Sequence, residues 1–515
     1  MKPTRMFIII FFLITSTRVG YCQPWYFNQI YNPNETWAGG LNIIGTPNGY
    51  FGCTISGDSV SDYFYNTCTF LLDETGNLVF WKNYGQDGYD YYPGYYGSLI
   101  PTKDTSFALF GSRHDLYTNL SEGIYYKFNA LGDTILSRIF TSDLYNTLIG
   151  RTCTTTSDNG FALLGEVQNF SGYSDAVLIK TDSTANETWR RQFGTEIDDW
   201  AVSIAQTADS GYILGTWAYV PVQIVTADPI VIKTDSQGNF EWSLNLGGPY
   251  GDDKAIVCNT QDSCIMVLTA YADSMWTPEH AYTRINLVKI DLDGNVIWNK
   301  KYGPSKPVNY ISNISSSQNG NFILCGYSMI LDPSFANAGW IMEVNSEGDS
   351  LWYRDYYYYP PGSSDPFNEL YDISITKDNG FIAVGWAYTL FGPNHVQKMW
   401  VIKVDSIGCE VPNCWVGIDE ERGGEIVDAE SKGDLNISPN PASTLIRCQL
   451  PRLNNRIDGS IEIYDLLGRK AATKMVSANN DEVQIDVGNL SRGLYLVVYK
   501  EGSKVIGNSK MIISR

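Results

Sequence analysis

One phrase recurs along most of this 515-residue chain and limits its folds more than any other feature. It reads apolar–Lys–apolar–Asp–x–x–Gly–Asn–apolar–x–Trp. The clearest copies are VIKTDSQGNFEW, ending at Trp242, and LVKIDLDGNVIW, ending at Trp298. Weaker copies are FLLDETGNLVFW, YKFNALGDTIL, LIKTDSTANETW, MEVNSEGDSLW and VIKVDSIGC. Their turn-opening residues are Asp73, Asn129, Asp182, Asp235, Asp291, Asn345 and Asp405, spaced by 56, 53, 53, 56, 54 and 60. A near-constant period of this length marks a chain built of stacked units.

A second phrase recurs out of phase with the first: a polar turn, then an aromatic or apolar run that in most copies ends in Gly. Copies are NGYFGCTI from Asn48, TSFALFG ending at Gly111, NGFALLG at Gly165 and SGYILG at Gly215. SCIMVL from Ser263, GNFILCG at Gly326 and NGFIAVG at Gly385 complete the set. Short β-branched and aromatic runs bounded by turn formers read as strands. The D-x-x-G-N segment reads as a hairpin loop, because Asp accepts hydrogen bonds from the backbone two residues on and Gly supplies the positive φ. Each unit therefore holds several strands. One sheet alone cannot bury both faces, so neighbouring units stack.

The period is too long for one turn of a β-helix and close to the roughly 40–50 residues of a four-stranded propeller blade. The pattern predicts an all-β chain, a seven-bladed β-propeller followed by a small Ig-like β-sandwich, with six or eight blades as alternatives. The last unit lacks a strand ending in Trp. WYFNQIY from Trp25 is similar to WNKKYG from Trp298 and WKNYG from Trp81, so an N-terminal strand is expected to complete that unit. The series Trp25, Trp81, Leu136, Trp189, Trp242, Trp298 and Trp352 then supplies one residue per unit. These repeats resemble the propeller-like repeats of secreted bacterial proteins, over residues 23 to about 410.

Lys and Arg number 36 against 56 Asp and Glu, a net charge of −20. A nucleic-acid partner is excluded on this balance, since phosphate binding needs a basic face. Residues 1–22 carry Lys2 and Arg5 ahead of an apolar run from Phe7 to Ile14. That run is shorter than the ~20 residues of a membrane anchor and reads as a cleavable export signal, cut before Gln23. No later run is long enough to span a membrane. Ten Cys are present, nine of them after residue 22. In an exported chain they suggest disulfides, with Cys53–Cys68, Cys258–Cys264 and Cys409–Cys414 as the candidate pairs.

Residues 417–434 hold seven acidic and two basic residues and no aromatic, which reads as a solvated linker. The expected organisation is a signal at 1–22, a propeller at 23–416, the linker at 417–434 and a β-sandwich at 435–515. The charge divides unevenly: −22 on residues 23–416 and +4 on residues 435–515.

The last segment contains LNISPNPAS, SIEIYDLLGRK, VQIDVGNLSRGLYLVVYKEG and SKMIISR in that order. These phrases are similar to the C-terminal sorting domain of type IX secretion, type A. The matching positions are Leu435, Ile437, Pro439, Asn440 and Pro441, then Ile463, Tyr464, Asp465, Gly468 and Arg469. Asp486, Val487, Leu490, Gly493, Tyr495, Leu496 and Lys510 complete them. Gly488 stands where that pattern often has Ser. The resemblance implies passage across the inner membrane on the export signal and then through a dedicated outer-membrane pore, with the type IX secretion machinery as partner. It implies a secreted or surface-attached product of a Bacteroidota-type bacterium.

No catalytic constellation, metal set or cofactor motif stands out. His114, His280 and His395 are the only histidines, and there is no H-E-x-x-H or G-x-S-x-G segment. Gly57-Asp58-Ser59-Val60 has the look of an esterase nucleophile block but sits in a strand-rich repeat. The Asp291 loop starts like a calcium loop but has no bidentate Glu at the required position. Two tyrosine runs are the candidate ligand contacts: Tyr91, Tyr92, Tyr95 and Tyr96, and Tyr357, Tyr358 and Tyr359. Tyr offers stiff contact area with a polar tip. The expectation is non-catalytic binding of a glycan or a surface protein. The alternative is a polysaccharide-acting hydrolase or lyase with carboxylates at the funnel of the ring.

Overall fold

In the computed structural model the chain forms two compact units, Met1–Asp419 and Glu420–Arg515. The structure describes residues 26–411 and 435–513. Breaks fall at 34–36, 58–64, 143–146, 169–170, 222–224, 251–252, 278–279, 331–335, 392–395, 440–441, 451–456, 465–469, 491–492 and 502–503 and at a few single positions. Every regular element among the described residues is a strand.

In the first unit these strands form seven antiparallel sheets. The first sheet is a meander of Ala38–Thr46, Gly49–Gly57, Tyr65–Leu72 and Leu78–Tyr84. The third to sixth sheets repeat that order and open with Leu148–Thr155, Asp199–Gln206, Asp253–Asn259 and Asn309–Ser316. The second departs from it: its first strand is split into Tyr89–Tyr92 and Leu99–Pro101, both paired to Phe107–Asp115. The seventh opens with Pro366–Ile375, and its fourth strand comes from the N-terminus, where Phe27–Tyr31 pairs antiparallel with Lys398–Val404. The opening strands touch in succession, and Pro366–Ile375 touches Ala38–Thr46. The row of sheets therefore closes into a propeller-like ring, with the opening strands innermost.

The recurring phrase explains how neighbouring sheets hold together. The Gly of each D-x-x-G-N turn has positive φ, as at Gly238 (76°), Gly294 (84°) and Gly348 (76°). A Cβ there would lie 2.5 Å from Trp189, 3.1 Å from Trp242 and 2.6 Å from Trp298, each ring belonging to the preceding sheet. Glycine is thus required twice, for its backbone angle and for the ring that lies on it. A Tyr four residues after the ring donates to the same glycine's carbonyl, at 2.6 Å for Tyr302 on Gly348 and 2.7 Å for Tyr356 on Gly408. At the closure, Phe27 lies on Gly76 and Tyr31 donates to its carbonyl at 2.6 Å.

Register corrects two members of the predicted series. Phe27 and Phe80, rather than Trp25 and Trp81, hold the ring position, since they face Lys403 and Leu71 where Trp189 faces Lys180. Trp25 itself lies outside the described residues. One interface lacks both Gly and ring: Ala185, also at positive φ (61°), packs with Leu136. Gly238→Ala is therefore expected to cost about 2–4 kcal/mol, combining left-handed strain with overpacking against Trp189. Chemical denaturation checks this, and pairing the change with Trp189→Leu should recover part of the loss.

The phrase's Lys is structural. Lys127, Lys180, Lys233, Lys289 and Lys403 pair with Asp104, Asp158, Asp209, Asp262 and Asp378 in the turn joining the first two strands of their own sheet, at 2.7–3.0 Å. Lys233 and Lys403 are fully buried at the side chain. The sixth sheet replaces the Lys by Glu343, which accepts from Asn321 and Trp352, both at 2.8 Å.

Two of the expected disulfides are absent: Cys53, Cys68, Cys258 and Cys264 are all free thiols. Cys53 faces Thr69 and Cys68 faces Thr54, so the two sulfurs sit on opposite faces of one sheet. Cys258 faces Met266, which places Cys264 diagonally, roughly 7–8 Å away and beyond the usual Cα separation of a disulfide. Cys409 is disulfide-bonded, and its expected partner Cys414 lies outside the described residues.

The second unit has a three-stranded sheet of Asn436–Ser438, Leu445–Gln449 and Glu482–Asp486. A four-stranded sheet holds Gly459–Tyr464, Lys470–Val476, Gly493–Glu501 and Lys504–Ile513. One core, including Ile446, Cys448, Ile461, Val497, Tyr499 and Met511, joins both sheets. The two sheets thus enclose that core as a small sandwich, as the sequence predicts.

Candidate ligand-binding face

In an antiparallel meander the loops entering each first strand share a face with the loops joining the second and third strands. That face forms the mouth of the ring. A β-bulge interrupts the inner strand near this mouth in six sheets, between Gly40/Asn42, Gly150/Thr152, Ala201/Ser203, Asp253/Ile256, Ile311/Asn313 and Leu370/Asp372. A bulge bends the strand and re-aims the side chains beside it. Just before it, inner and second strands pair Trp200 with Trp217, Tyr310 with Tyr327, and Glu369 with Trp386.

Aromatic rings gather there in three clusters. In the fourth sheet Trp200 lies 5.1 Å from Trp217 and 5.0 Å from Tyr219. Across the sixth and seventh sheets Tyr310 stacks on Tyr327 at 4.6 Å, Tyr327 lies 5.9 Å from Tyr371, and Tyr371 lies 4.4 Å from Trp386. In the first and second sheets Trp37 lies 5.1 Å from Tyr65, which lies 5.4 Å from Tyr92. All of these rings are half-buried, so packing holds them while part of each faces solvent.

Polar groups fix their orientation. Glu369 accepts from Trp386 Nε1 at 2.6 Å, Tyr371 Oη at 2.9 Å and Asn337 Nδ2 at 2.7 Å. Burial pushes its carboxyl pKa up, against the lowering effect of these donors. Asp253 accepts from Ile311 N at 3.2 Å and pairs with Lys254 at 3.1 Å. Burial, then the charge of Glu369 and more weakly that of Asp253, pushes the Tyr327 phenol well up. Among the described residues no group of three or more His, Cys, Asp or Glu is placed to hold a metal ion.

Both tyrosine runs reach this face. Tyr91 is only 5% exposed and packs in the core with Phe51, Leu109 and Tyr126, so it presents no ring to a ligand. Tyr92 and Tyr95 are half-buried at the mouth, and Tyr96 lies outside the described residues. Tyr358 and Tyr359 pack on the core between the sixth and seventh sheets, and their N–H groups donate to Asn368 Oδ1 at 2.8 and 2.9 Å. Tyr357 is half-buried, its carbonyl accepting from Asn28 at 2.9 Å. The second run is therefore a seam between sheets rather than a free-standing loop.

The sequence reasoning missed Trp200, Trp217, Tyr310, Tyr327, Tyr371 and Trp386. A signal was present: an aromatic follows the second phrase's Gly in GTW (Trp217), GY (Tyr327) and GW (Trp386).

Below the mouth, polar side chains meet at the axis. Asn42 Oδ1 accepts from Ser98 Oγ and Leu99 N, both at 3.3 Å. Asp372 accepts from Ile43 N at 2.7 Å, Ile373 N at 2.8 Å and Asn313 Nδ2. Gly97 of the second sheet comes so close to Asn313 of the sixth that a Cβ would lie 2.9 Å from it.

Burial pushes the Asp372 carboxyl from 3.8 up to about 7. Between those values the folded state holds the proton more firmly than the unfolded chain, so this group's contribution to stability falls as pH rises from about 4 to 7 and is flat above. The expected loss is roughly 2–4 kcal/mol. The melting temperature of the wild type should drop more between pH 5 and 8 than that of Asp372→Asn. Parallel curves would contradict the assignment.

Residues 436–514 match the Secretion system C-terminal sorting domain family. The C-terminal unit is a type IX sorting domain. Its expected motif residues divide as follows. Tyr464, Gly493, Tyr495 and Lys510 lie on strands of the four-stranded sheet, and Pro439 is exposed beside the first strand. Asn440, Pro441, Asp465, Gly468 and Arg469 lie outside the described residues. The sorting domain makes this a secreted or surface-attached protein of the type IX route.

A Funoran endo-beta-hydrolase of Wenyingzhuangia aestuarii is 25% identical over 263 residues, covering 40% of this chain. The chain spans 33% of the length of that relative. Among solved structures, an ulvan lyase of polysaccharide lyase family PL25 overlays with a TM-score of 0.45 at 10% identity, covering 75% of this chain and 96% of that one. Phage phi92 endosialidase overlays at 0.41 and 9% identity, covering 97% and 90%. A protein of unknown function from Dyadobacter fermentans overlays at 0.40 and 10%, covering 73% and 97%. These overlays speak neither to activity nor to substrate.

Proposed function

We propose that the ring binds a polysaccharide across its aromatic mouth, outside the cell, and that the sorting domain delivers it there. The observation that carries this reading is the concentration of half-exposed Trp and Tyr rings on one face. Sugar rings present C–H faces that stack on such surfaces, while the polar tips of Tyr and Trp meet hydroxyls. The layout that goes with it is a removed signal at 1–22, the ring at 23–416, the linker at 417–434 and the sorting domain at 435–515, with Cys409 bridged to Cys414. Affinity electrophoresis against a polysaccharide panel that includes funoran tests the reading. The Trp200→Ala/Trp217→Ala double variant should weaken binding about 10- to 100-fold, at roughly 0.5–1.5 kcal/mol per ring. Unchanged retardation by that variant would refute the assignment of the site.

A second reading, cleavage of the bound polymer, is favoured by the funoran-hydrolase relative and by Glu369, a carboxyl raised by burial at the mouth. Release of reducing ends or unsaturated products from funoran, abolished in Glu369→Gln with binding retained, would establish it. Binding without product release leaves the first reading.

A further inference from the structure

The aromatic clusters of the mouth are not spread evenly round the ring. The inner strand of the fourth sheet carries Trp200 just before its bulge, and that of the sixth carries Tyr310. At the same position the first sheet has Gly39. The Trp386 ring of the seventh sheet lies over it, so that a Cβ there would come within 2.6 Å of the ring. Trp37, two residues before Gly39, opens the cluster of the first and second sheets. Gly39 therefore joins two clusters into one arc. The arc runs from Tyr310 to Tyr92 over the sixth, seventh, first and second sheets, and successive rings within each cluster stand 4.4–5.9 Å apart.

A ring of seven sheets places the fourth directly opposite the junction of the seventh with the first. The cluster of Trp200, Trp217 and Tyr219 thus faces the middle of the arc across the axis. Between that cluster and the arc's end, the third sheet has Ile149 at the position just before its bulge. The floor between the two aromatic contacts is closed. In the second sheet the chain between Tyr89–Tyr92 and Leu99–Pro101 leaves the ladder. Within it, Gly94 O accepts from Asn42 Nδ2 of the first sheet at 3.3 Å, and Ser98 O accepts from Cys153 Sγ of the third at 3.4 Å. Gly97 packs on Asn313 of the sixth sheet, three places round the ring from its own. A segment of the second sheet reaches the sixth only by crossing the axis. A polymer at the mouth therefore passes over this floor rather than through the ring.

We infer that the ring grips internal stretches of a long polymer, which lies over the closed floor with one stretch on the arc and another on the Trp200 cluster. An oligosaccharide too short to cross the axis satisfies only one of the two contacts. The inference rests on the polysaccharide-binding reading and adds to it the length of chain that the mouth requires. Its physical basis is linkage. Once one contact holds the polymer, the second forms at a high effective concentration, and joined contacts exceed either alone by roughly 10²–10⁴-fold.

Calorimetric titration of the full chain tests it with laminarin, alginate and carrageenan. Each is supplied as polymer, as polymer reduced with borohydride at its end, and as trisaccharide, with concentration counted in sugar residues. The expected result is binding of the polymer about 100-fold or more tighter than that of its trisaccharide, with no change on end reduction. Trp200→Ala/Trp217→Ala removes one contact, and Tyr310→Ala/Tyr371→Ala breaks the other. In either variant the advantage of length should disappear, the polymer binding within a few-fold of its trisaccharide. The wild-type comparison of lengths needs neither variant to fold. Equal binding of polymer and trisaccharide would overturn the two-contact grip and leave the mouth reading standing. Loss of binding on end reduction would overturn it as well, since the mouth would then read a chain end. So would a length advantage that survives in both folded variants. Failure of every form of all three probes to bind would overturn both readings.

Discussion

Deleting residues 26–32 is expected to unfold the ring. This strand is the fourth of the seventh sheet, and without it Lys398–Val404 becomes an open edge. The loss is more than one ladder. Phe27 and Tyr31 are both under 9% exposed, and burial of such side chains is worth about 1.5–3 kcal/mol each. Trp400, fully buried, loses Asn28 Oδ1, which it reaches at 2.7 Å. The contact of Phe27 and Tyr31 with Gly76 also disappears, and it is one of the latches joining the last sheet to the first. Together these amount to roughly 5–10 kcal/mol, comparable with the whole stability of a typical domain. The deleted chain should show no cooperative thermal transition, or one lowered by more than ten degrees. A synthetic peptide of residues 26–32 added in excess should restore part of it, since it would refill the same edge. A deletion that melts like the wild type would show that closure lies elsewhere.

The ring was legible in the sequence because its constraint is local and repeated. Hairpin turns, strand alternation and a ring-on-glycine contact each leave a mark at fixed spacing, and seven copies reinforce one another. The identity of the closing residue was not legible. Trp25 and Phe27 stand two residues apart in WYFNQIY, and only pairing with Lys403 shows that Phe27 holds the position. The disulfide candidates failed for a related reason. Neighbouring strands bring Cys53 and Cys68 close along the chain, but a one-residue difference in register sends their side chains to opposite faces. The mouth was partly legible. Tyrosine runs drew the eye, while Trp200, Tyr310 and Tyr371 are single letters in ordinary strands. What sets them apart is a bulge, which is a matter of pairing between strands.

Truncation before residue 436 is expected to separate export from folding. The C-terminal unit has its own core, with Ile446, Ile461, Val497 and Tyr499 each fully buried between its two sheets. The ring's cores draw only on residues of the first unit. Removing the tail therefore removes the address without removing a core residue of the ring. In the native host at least a tenfold drop of the protein outside the cell is expected, with a protease-resistant ring accumulating in the periplasm. Tyr499→Ala makes the same point by a different route. Its ring is fully buried and its hydroxyl donates to Glu501 at 2.7 Å, so truncation should cost about 3–5 kcal/mol and unfold the tail alone. If the machinery reads a folded surface rather than a linear stretch, this single substitution should block export nearly as fully as the deletion. Export of Tyr499→Ala at wild-type levels, with the tail shown to be unfolded, would mean that recognition is linear. Export of the truncated chain would remove the sorting domain from the route altogether.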